Sequence, residues 1–245
     1  MRTIGMIGGM GWEASAAYYR LMNREVRARL GGWRSARVIV DSLDFDPIAR
    51  ARTRSDYLAV RAALLASATR LQVAGAELLV IACNTVHRFA DYLQARIEIP
   101  LLHIADVSAA VLLRDGRRRV GLLGTRATMH GGFYQQRLQA VGLTAVTPAA
   151  EARATLHDLI LQEWTGGQGA RADAALLAPY VEELAGVGCD CVLLACTDFG
   201  LAFGGSDKAV IAGGVPLYDT TVLHARAAVD WALGGADMAG DRPGQ

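Results

Sequence analysis

Two cysteines sit where a chain can put a thiol to chemical use. The stretch Leu78-Leu79-Val80-Ile81-Ala82-Cys83-Asn84-Thr85 is a short apolar run that ends on a thiol and two small polar residues. Val192-Leu193-Leu194-Ala195-Cys196-Thr197-Asp198 repeats that pattern 113 positions later. A run this short, flanked by Gly75 and stopped by polar residues, reads as a buried strand of a parallel sheet, and such sheets place ligands beyond the carboxyl ends of their strands. A thiol has a reference pKa of about 8.5, so only a few per cent is thiolate near neutrality unless amides, helix amino termini or cations favour the anion. Asn84-Thr85 and Thr197-Asp198 each open a predicted helix, which sets amides and a positive dipole end beside the sulfur. Two such thiols on opposite sides of a substrate carbon act in turn as base and acid: one removes a proton, the other returns one to the opposite face. The result is inversion at a carbon acidified by a neighbouring carboxylate. The competing reading is packing, since free cysteine is among the most buried residue types. Packing explains one cysteine more readily than two at equivalent ends of a repeated pattern.

Other chemistries fit less well. Lys208 is the only lysine, in a polar stretch before Ala209 to Ala212, so a pyridoxal phosphate enzyme, which needs a Schiff-base lysine, would rest on one poorly placed residue. Gly9-x-Gly11-x-x-Ala14 satisfies a loose dinucleotide fingerprint, and Val38-Ile39-Val40-Asp41 supplies a strand ending in an acid. That acid comes 30 positions after Gly11, where the fingerprint expects about 20, and Trp12 crowds a turn that must stay small. Cys189-Asp190-Cys191 lacks the second ligand pair that a structural zinc site requires. No cofactor and no metal are expected. His87 and His224 sit early in predicted helices, where either can tune a thiol or simply cap and pack.

These residues need elements to position them. Thr3 to Ile7 reads as a first strand, and the turn Gly8-Gly9-Met10-Gly11, whose amides could cradle an anion, leads to a helix over Trp12 to Leu30. Asp44 to Arg54, with Pro47 and three arginines, reads as a polar loop. A helix follows from Ser55 with Tyr57, Val60, Leu64, Ala68 and Leu71 on one stripe, ended by Gly75. After the Cys83 strand come a helix over Val86 to Arg96, a short strand over Ile99 to His103, and a helix over Asp106 to Arg114. Then the plan restarts. Val120-Gly121-Leu122-Leu123-Gly124-Thr125 answers Ile4-Gly5-Met6-Ile7-Gly8-Gly9, and Val215-Pro216-Leu217-Tyr218 answers Ile99-Pro100-Leu101-Leu102, both at an offset of 116. Three landmarks recur in one order at nearly one spacing, which is an internal duplication of units too long for a solenoid repeat. The expected fold is α/β, with two similar Rossmann-like halves, parallel sheets and a pseudo-twofold axis. The active site is then expected in the cleft between the halves.

The chain has 245 residues with 25 basic and 24 acidic side chains and no long block of one sign. Arg117-Arg118-Arg119 reads as a solvated turn before a strand, and no nucleic-acid partner is expected. The first residues form too short an apolar run for a signal peptide, and no run approaches membrane-spanning length. The expectation is a cytoplasmic protein with no membrane partner. Four cysteines in such a chain do not make a disulfide scaffold and are expected to be thiols.

Gly8-Gly9-Met10-Gly11-Trp12-Glu13, Ala82-Cys83-Asn84-Thr85, Ile99-Pro100-Leu101-Leu102-His103-Ile104-Ala105-Asp106, Gly121-Leu122-Leu123-Gly124-Thr125-Arg126-Ala127-Thr128-Met129 and Ala195-Cys196-Thr197 together resemble the aspartate/glutamate racemase family. The resemblance runs from Met1 to about Leu233, in a superfamily that also holds hydantoin racemases, maleate isomerases and arylmalonate decarboxylases. It implies a cofactor-independent amino-acid racemase with Cys83 and Cys196 as opposed acid and base, a small-molecule amino-acid substrate, and a homodimer. It also implies a last helix that crosses back, so that one half spans 1–103 plus 215–245 and the other 104–214. By position, Asn84, Thr85 and Thr197 would hold the α-carboxylate, Thr125 and Thr128 would line the cleft, and Met10 and Asp198 would join them against the substrate. Arg52, with Arg50 close behind, matches the arginine that meets a distal carboxylate, a task suited to bidentate guanidinium.

The departures from the family pattern bear on substrate. The second motif usually reads Cys-Thr-Glu, whereas here Asp198 is one methylene shorter and Phe199-Gly200 follow. No lysine stands near Gly166-Gly167, where some aspartate racemases carry one and Thr165 is the nearest match, and His130 takes a place often held by an acid. Aspartate, glutamate and a neutral amino acid such as homoserine all remain open. The alternatives are isomerisation or decarboxylation of a small dicarboxylate, action on a hydantoin, or a non-catalytic amino-acid-binding relative. Decarboxylation usually works with a single cysteine, so the presence of two weighs against it.

Overall fold

The computed structural model describes residues 1–165, 174–197, 199 and 210–235, with main chain alone at 161–165, 174–175 and 210–212. It is α/β, with two separate sheets. The chain forms two compact units, one of Met1–His103 with the chain from His224 onward, the other of Ile104–Leu223. Among the described residues no helix is long and apolar enough to cross a membrane.

The first unit runs β1 (Ile4–Gly8), α1 (Trp12–Leu30), β2 (Val38–Ser42), α2 (Phe45–Thr53), α3 (Tyr57–Val73), β3 (Leu78–Ile81), a 3-10 turn (Thr85–Phe89) and α4 (Ala90–Gln94). Its strands lie in the order β2-β1-β3, all parallel, with Ile4 opposite both Val38 and Leu78. β1 and β3 are buried at every residue, as expected of strands covered on both faces. The stripe of α3 predicted from helical spacing is buried at Val60, Leu64, Ala68 and Leu71. Tyr57 departs from it: the ring stays exposed and takes the Arg88 guanidinium 4.7 Å from its centroid.

The segment 44–54, expected as a loop, is largely helical. Asp44 caps α2 by accepting from the Asp46 amide at 3.2 Å. Pro47 falls at the third helical position, where an amide has no partner within the helix, so proline removes nothing there. The short strand expected over 99–103 is a single parallel bridge, Leu79 to Leu101, made by Leu79 N–H on the Pro100 carbonyl and Leu102 N–H on the Leu79 carbonyl.

The second unit runs α5 (Ile104–Arg114), β4 (Arg119–Gly124), α6 (Arg126–His130), α7 (Phe133–Ala140), β5 (Thr144–Val146), α8 (Ala150–Thr165), α9 (Ala174–Gly186), β6 (Cys191–Ala195), β7 (Val210–Ala212), β8 (Val215–Asp219) and the start of α10 (Thr220–Ala232). The sheet order is β5-β4-β6-β8-β7, with β7 alone antiparallel. This corrects the expected partition, which gave 215–245 to the first half. β8 hydrogen-bonds to β6 with Leu193 opposite Tyr218, and the chain passes to the first unit within α10, at His224.

The duplication is visible in the pairing. β2-β1-β3 corresponds to β5-β4-β6, and the Leu101 bridge beside β3 corresponds to β8 beside β6. Gly5 and Gly121, 116 positions apart, are both strand positions that leave no room for a side chain. A Cβ on Gly5 would lie 2.6 Å from Ala76 Cβ, and one on Gly121 would lie 2.8 Å from Leu184 Cδ1.

Candidate active site

In the first unit the ends of β1 and β3 lie side by side, with Ile7 opposite Ile81 and the Ala82 amide on the Ile7 carbonyl. Cys83 therefore stands next to the Gly8-Gly9 turn. Gly9 has φ +85°, and any side chain there would run into the main chain of Leu43, so only glycine fits. Its amide donates to Ser15 Oγ at 2.8 Å. That bond engages one of the amides expected to cradle an anion. Cys83 is 5% exposed and Asn84 and Thr85 are buried with it. The helix expected after them is a 3-10 turn of five residues followed by α4.

Three histidines gather behind this strand end. The His87 Nδ1–H donates to the Cys83 carbonyl at 2.8 Å; a carbonyl only accepts, so Nδ1 carries the proton. The ring of His87 meets His103 at 5.1 Å and His224 at 5.3 Å, edge to face. His224 Nε2–H donates to the Leu102 carbonyl at 3.0 Å, which leaves Nδ1 to accept from the Tyr18 hydroxyl at 2.8 Å. Burial, and then the neighbouring His87, push the His224 imidazolium down to about 3, so the ring is neutral at physiological pH.

In the second unit Gly124 is opposite Ala195, so Thr125 and Cys196 follow adjacent strand ends. Thr125 caps α6, its Oγ1 accepting from the Thr128 amide at 3.3 Å and lying 3.1 Å from Thr128 Oγ1. Cys196 is 3% exposed, and Thr125, Thr128 and Thr197 are buried. Thr220 Oγ1 donates to the Leu194 carbonyl at 2.9 Å and ties the end of β8 to β6. Asp219, opposite Leu194 in register, has its carboxyl pushed up to about 6 by burial, against the opposing pull of the Thr221 and Val222 amides. Tyr134 is fully buried with its hydroxyl bonded to Ser108 and Thr220.

The expected site residues thus fall into two groups, one per unit. Cys83, Asn84 and Thr85 lie together, as do Cys196, Thr197, Thr125 and Thr128. Met10 packs its side chain into the apolar core with Ile7, Ile48 and Leu64, which leaves its main chain for any ligand. Arg50 is exposed and paired with Asp46 at 2.8 Å. Arg52, half-buried on α2, makes no ion pair among the described residues. Asp198, Lys208 and the Gly166-Gly167 region lie outside the described residues, as does the side chain of Thr165.

All four cysteines are buried and none is in a disulfide. Cys189 and Cys191 belong to the core, where burial pushes both thiols up. Asp190 between them accepts from the Arg118 and Arg119 amides at 2.7 and 3.0 Å, and the Arg117 guanidinium donates to the Tyr218 hydroxyl. Arg118 and Arg119 stay exposed, in line with the solvated run expected before the strand, while Asp190 holds their amides at the start of β4. Sequence reasoning missed Tyr18, His103, Tyr134 and Asp219. Their one available signal was the offset of 116, which relates Tyr18 to Tyr134 and His103 to Asp219.

A family model described as Asp/Glu/Hydantoin racemase matches residues 7–228. A solved structure of a candidate Asp/Glu racemase from Yersinia pestis is 37% identical, covers 95% of this chain and 100% of that one, and superposes with a TM-score of 0.83. An aspartate racemase homologue from Pyrococcus horikoshii OT3 is 28% identical over the same shares, with a TM-score of 0.79. A glutamate racemase of Mycobacterium ulcerans is 31% identical over 186 residues, 71% of this chain and 66% of that protein. The first curated relatives are matched over only 38% and 66% of their own lengths.

Proposed function

The chain belongs to the Asp/Glu/hydantoin racemase family, and on that premise we propose that it interconverts the L- and D-forms of an acidic amino acid through Cys83 and Cys196, without a cofactor. One observation carries the reading. In a duplicated fold the same residue type, buried and outside any disulfide, follows within two residues of the third strand of each unit.

In the proposed reaction one sulfur enters as thiolate and takes the α-proton, forming an S–H bond while the C–H electrons pass toward the carboxylate. The other enters as thiol and gives its proton to the opposite face of the carbon. The two sulfurs exchange protonation states, and the reverse reaction uses them in the opposite order. Asn84, Thr85 and Thr197 would bind the α-carboxylate, where added negative charge develops, and donors placed there act on the transition state rather than on the substrate alone. Thr125 and Thr128, which fix each other by hydrogen bonds, would line the second unit's side. Arg52 would take the distal carboxylate, its guanidinium outside any ion pair among the described residues. The glutamate racemase and the aspartate racemase homologue among the similar proteins support an acidic substrate.

Proton NMR in heavy water tests this directly. The α-proton signal is followed for L- and D-aspartate, glutamate and homoserine and several neutral amino acids, with the parent chain, Cys83→Ser and Cys196→Ser. The expected result is washout from both enantiomers of one acidic amino acid, with racemisation lost in both variants. No washout from any of them would refute the racemase reading and move attention to maleate, hydantoins and malonates.

A further inference from the structure

Behind Cys83 the first unit buries a set of polar rings that packing alone does not call for. Tyr18 comes from α1, His87 from the 3-10 turn, His103 from the end of the Leu101 segment and His224 from α10, and all four are buried. They join in sequence: the Tyr18 hydroxyl on His224 Nδ1, His224 Nε2–H on the Leu102 carbonyl, the His224 and His103 rings against His87, and the His87 Nδ1–H on the Cys83 carbonyl. Burying polar rings costs free energy unless they are hydrogen-bonded, so an apolar filling is the less demanding way to close such a space.

The second unit is an internal control. It has the same strand order and keeps the tyrosine, Tyr134, 116 positions after Tyr18. The counterpart of His224 at that offset is Ser108, that of His103 is Asp219, and the residue four after Cys196 is Gly200, which has no side chain. The repeated fold therefore forms without any of the three imidazoles. In the first unit the other two imidazoles meet at the ring of His87, and it is His87 that bonds the main chain that carries Cys83.

We propose that His87 is a positioning residue for the Cys83 thiol, with Tyr18, His103 and His224 as the frame that orients its ring. This rests on the racemase reading above, in which the sulfur must meet one face of a carbon. The peptide plane after Cys83 sets where its Cα–Cβ bond points, and the His87 N–H holds that plane. Releasing it lets the sulfur drift. A misplacement of about 1 Å can cost on the order of 100-fold in rate.

Two substitutions separate positioning from packing. His87→Asn keeps an N–H close to the place of Nδ1 and loses the ring; His87→Phe keeps the ring and loses the N–H. Each is assayed for racemisation and, independently of activity, for alkylation by iodoacetamide at Cys83 and Cys196, resolved by peptide mass spectrometry. His87→Phe is expected to lower kcat by roughly 10- to 100-fold with KM little changed, and to raise alkylation at Cys83 while leaving Cys196 unmoved. His87→Asn is expected to recover most of both. A phenylalanine variant equal to or better than the asparagine one, or both cysteines shifting together, would overturn the proposal. If the parent chain racemises nothing, the racemase reading fails, and the alkylation contrast still decides whether His87 positions Cys83.

Discussion

In the first unit Tyr18 meets an imidazole at 2.8 Å; in the second, the tyrosine 116 positions later meets the hydroxyls of Ser108 and Thr220. Both phenols are buried, both follow the first strand of their sheet, and in each unit a cysteine follows the third strand within two residues. The difference separates two demands on the same positions. A buried tyrosine must have a hydrogen-bond partner, and a hydroxyl meets that demand as well as a ring nitrogen does. The imidazole adds reach: through His224 and His87 the first unit's tyrosine is linked to the Cys83 main chain, whereas Thr220 links Tyr134 to the Leu194 carbonyl, two residues before Cys196.

The arginines sharpen this contrast most. Arg153 of the second unit is held by its own loop, donating to Thr147 Oγ1 and the Pro148 carbonyl, while Arg52 of the first makes no ion pair among the described residues. Arg52→Leu is expected to lower kcat/KM for an acidic amino acid by roughly 10- to 100-fold, the worth of a lost charged hydrogen bond. Arg153→Leu is expected to leave it unchanged. Steady-state polarimetry on both variants checks this, and equal losses would break the assignment.

The tyrosines come next. Tyr18→Phe and Tyr134→Phe each strand a buried polar group, at a cost of about 1–3 kcal/mol in stability, measurable by urea unfolding. Only Tyr18→Phe is expected to slow turnover as well, because it frees the frame around His87. An equal kinetic effect of Tyr134→Phe would erase the functional distinction between the units.

The smallest effect is a pair of opposed pH slopes. His224 is held down to about 3 in the fold against 6.5 for an unperturbed histidine. Between those values the unfolded chain binds the extra proton, so this group removes stability as pH falls from 6.5 toward 3. Asp219 is raised from 3.8 to about 6, so the folded chain binds the extra proton between those values, and this group removes stability as pH rises through that window. Each slope is at most about 1.4 kcal/mol per pH unit. Between about pH 4 and 6 the two slopes largely cancel in the parent, so relative to it, unfolding is expected to show stability rising toward acid in His224→Gln and falling toward acid in Asp219→Asn.

Much of this was legible in the sequence. The ends of α1, the burial of β1 and β3, and the two thiols at strand ends all follow from short apolar runs stopped by glycine or small polar residues. The helix α2 was hidden because Pro47 reads as a breaker until its place in the first turn is known. The assignment of β8 failed because the chain changes unit inside α10, after the strand, and no local pattern marks that point. Tyr18 and His224 lie 206 positions apart, and no periodicity joins them. His103 and Asp219 escaped because equivalent places hold different chemistry, so the offset alone did not single them out.

The most direct test of opposed thiols uses Cys83→Ala and Cys196→Ala, each with one sulfur left. Both are incubated with pure L- and pure D-substrate in heavy water, and α-proton exchange without inversion is followed by NMR. The expected result is that each variant exchanges one enantiomer only, and that the two variants choose opposite ones. Exchange of the same enantiomer by both, or full racemisation by either, would contradict the account.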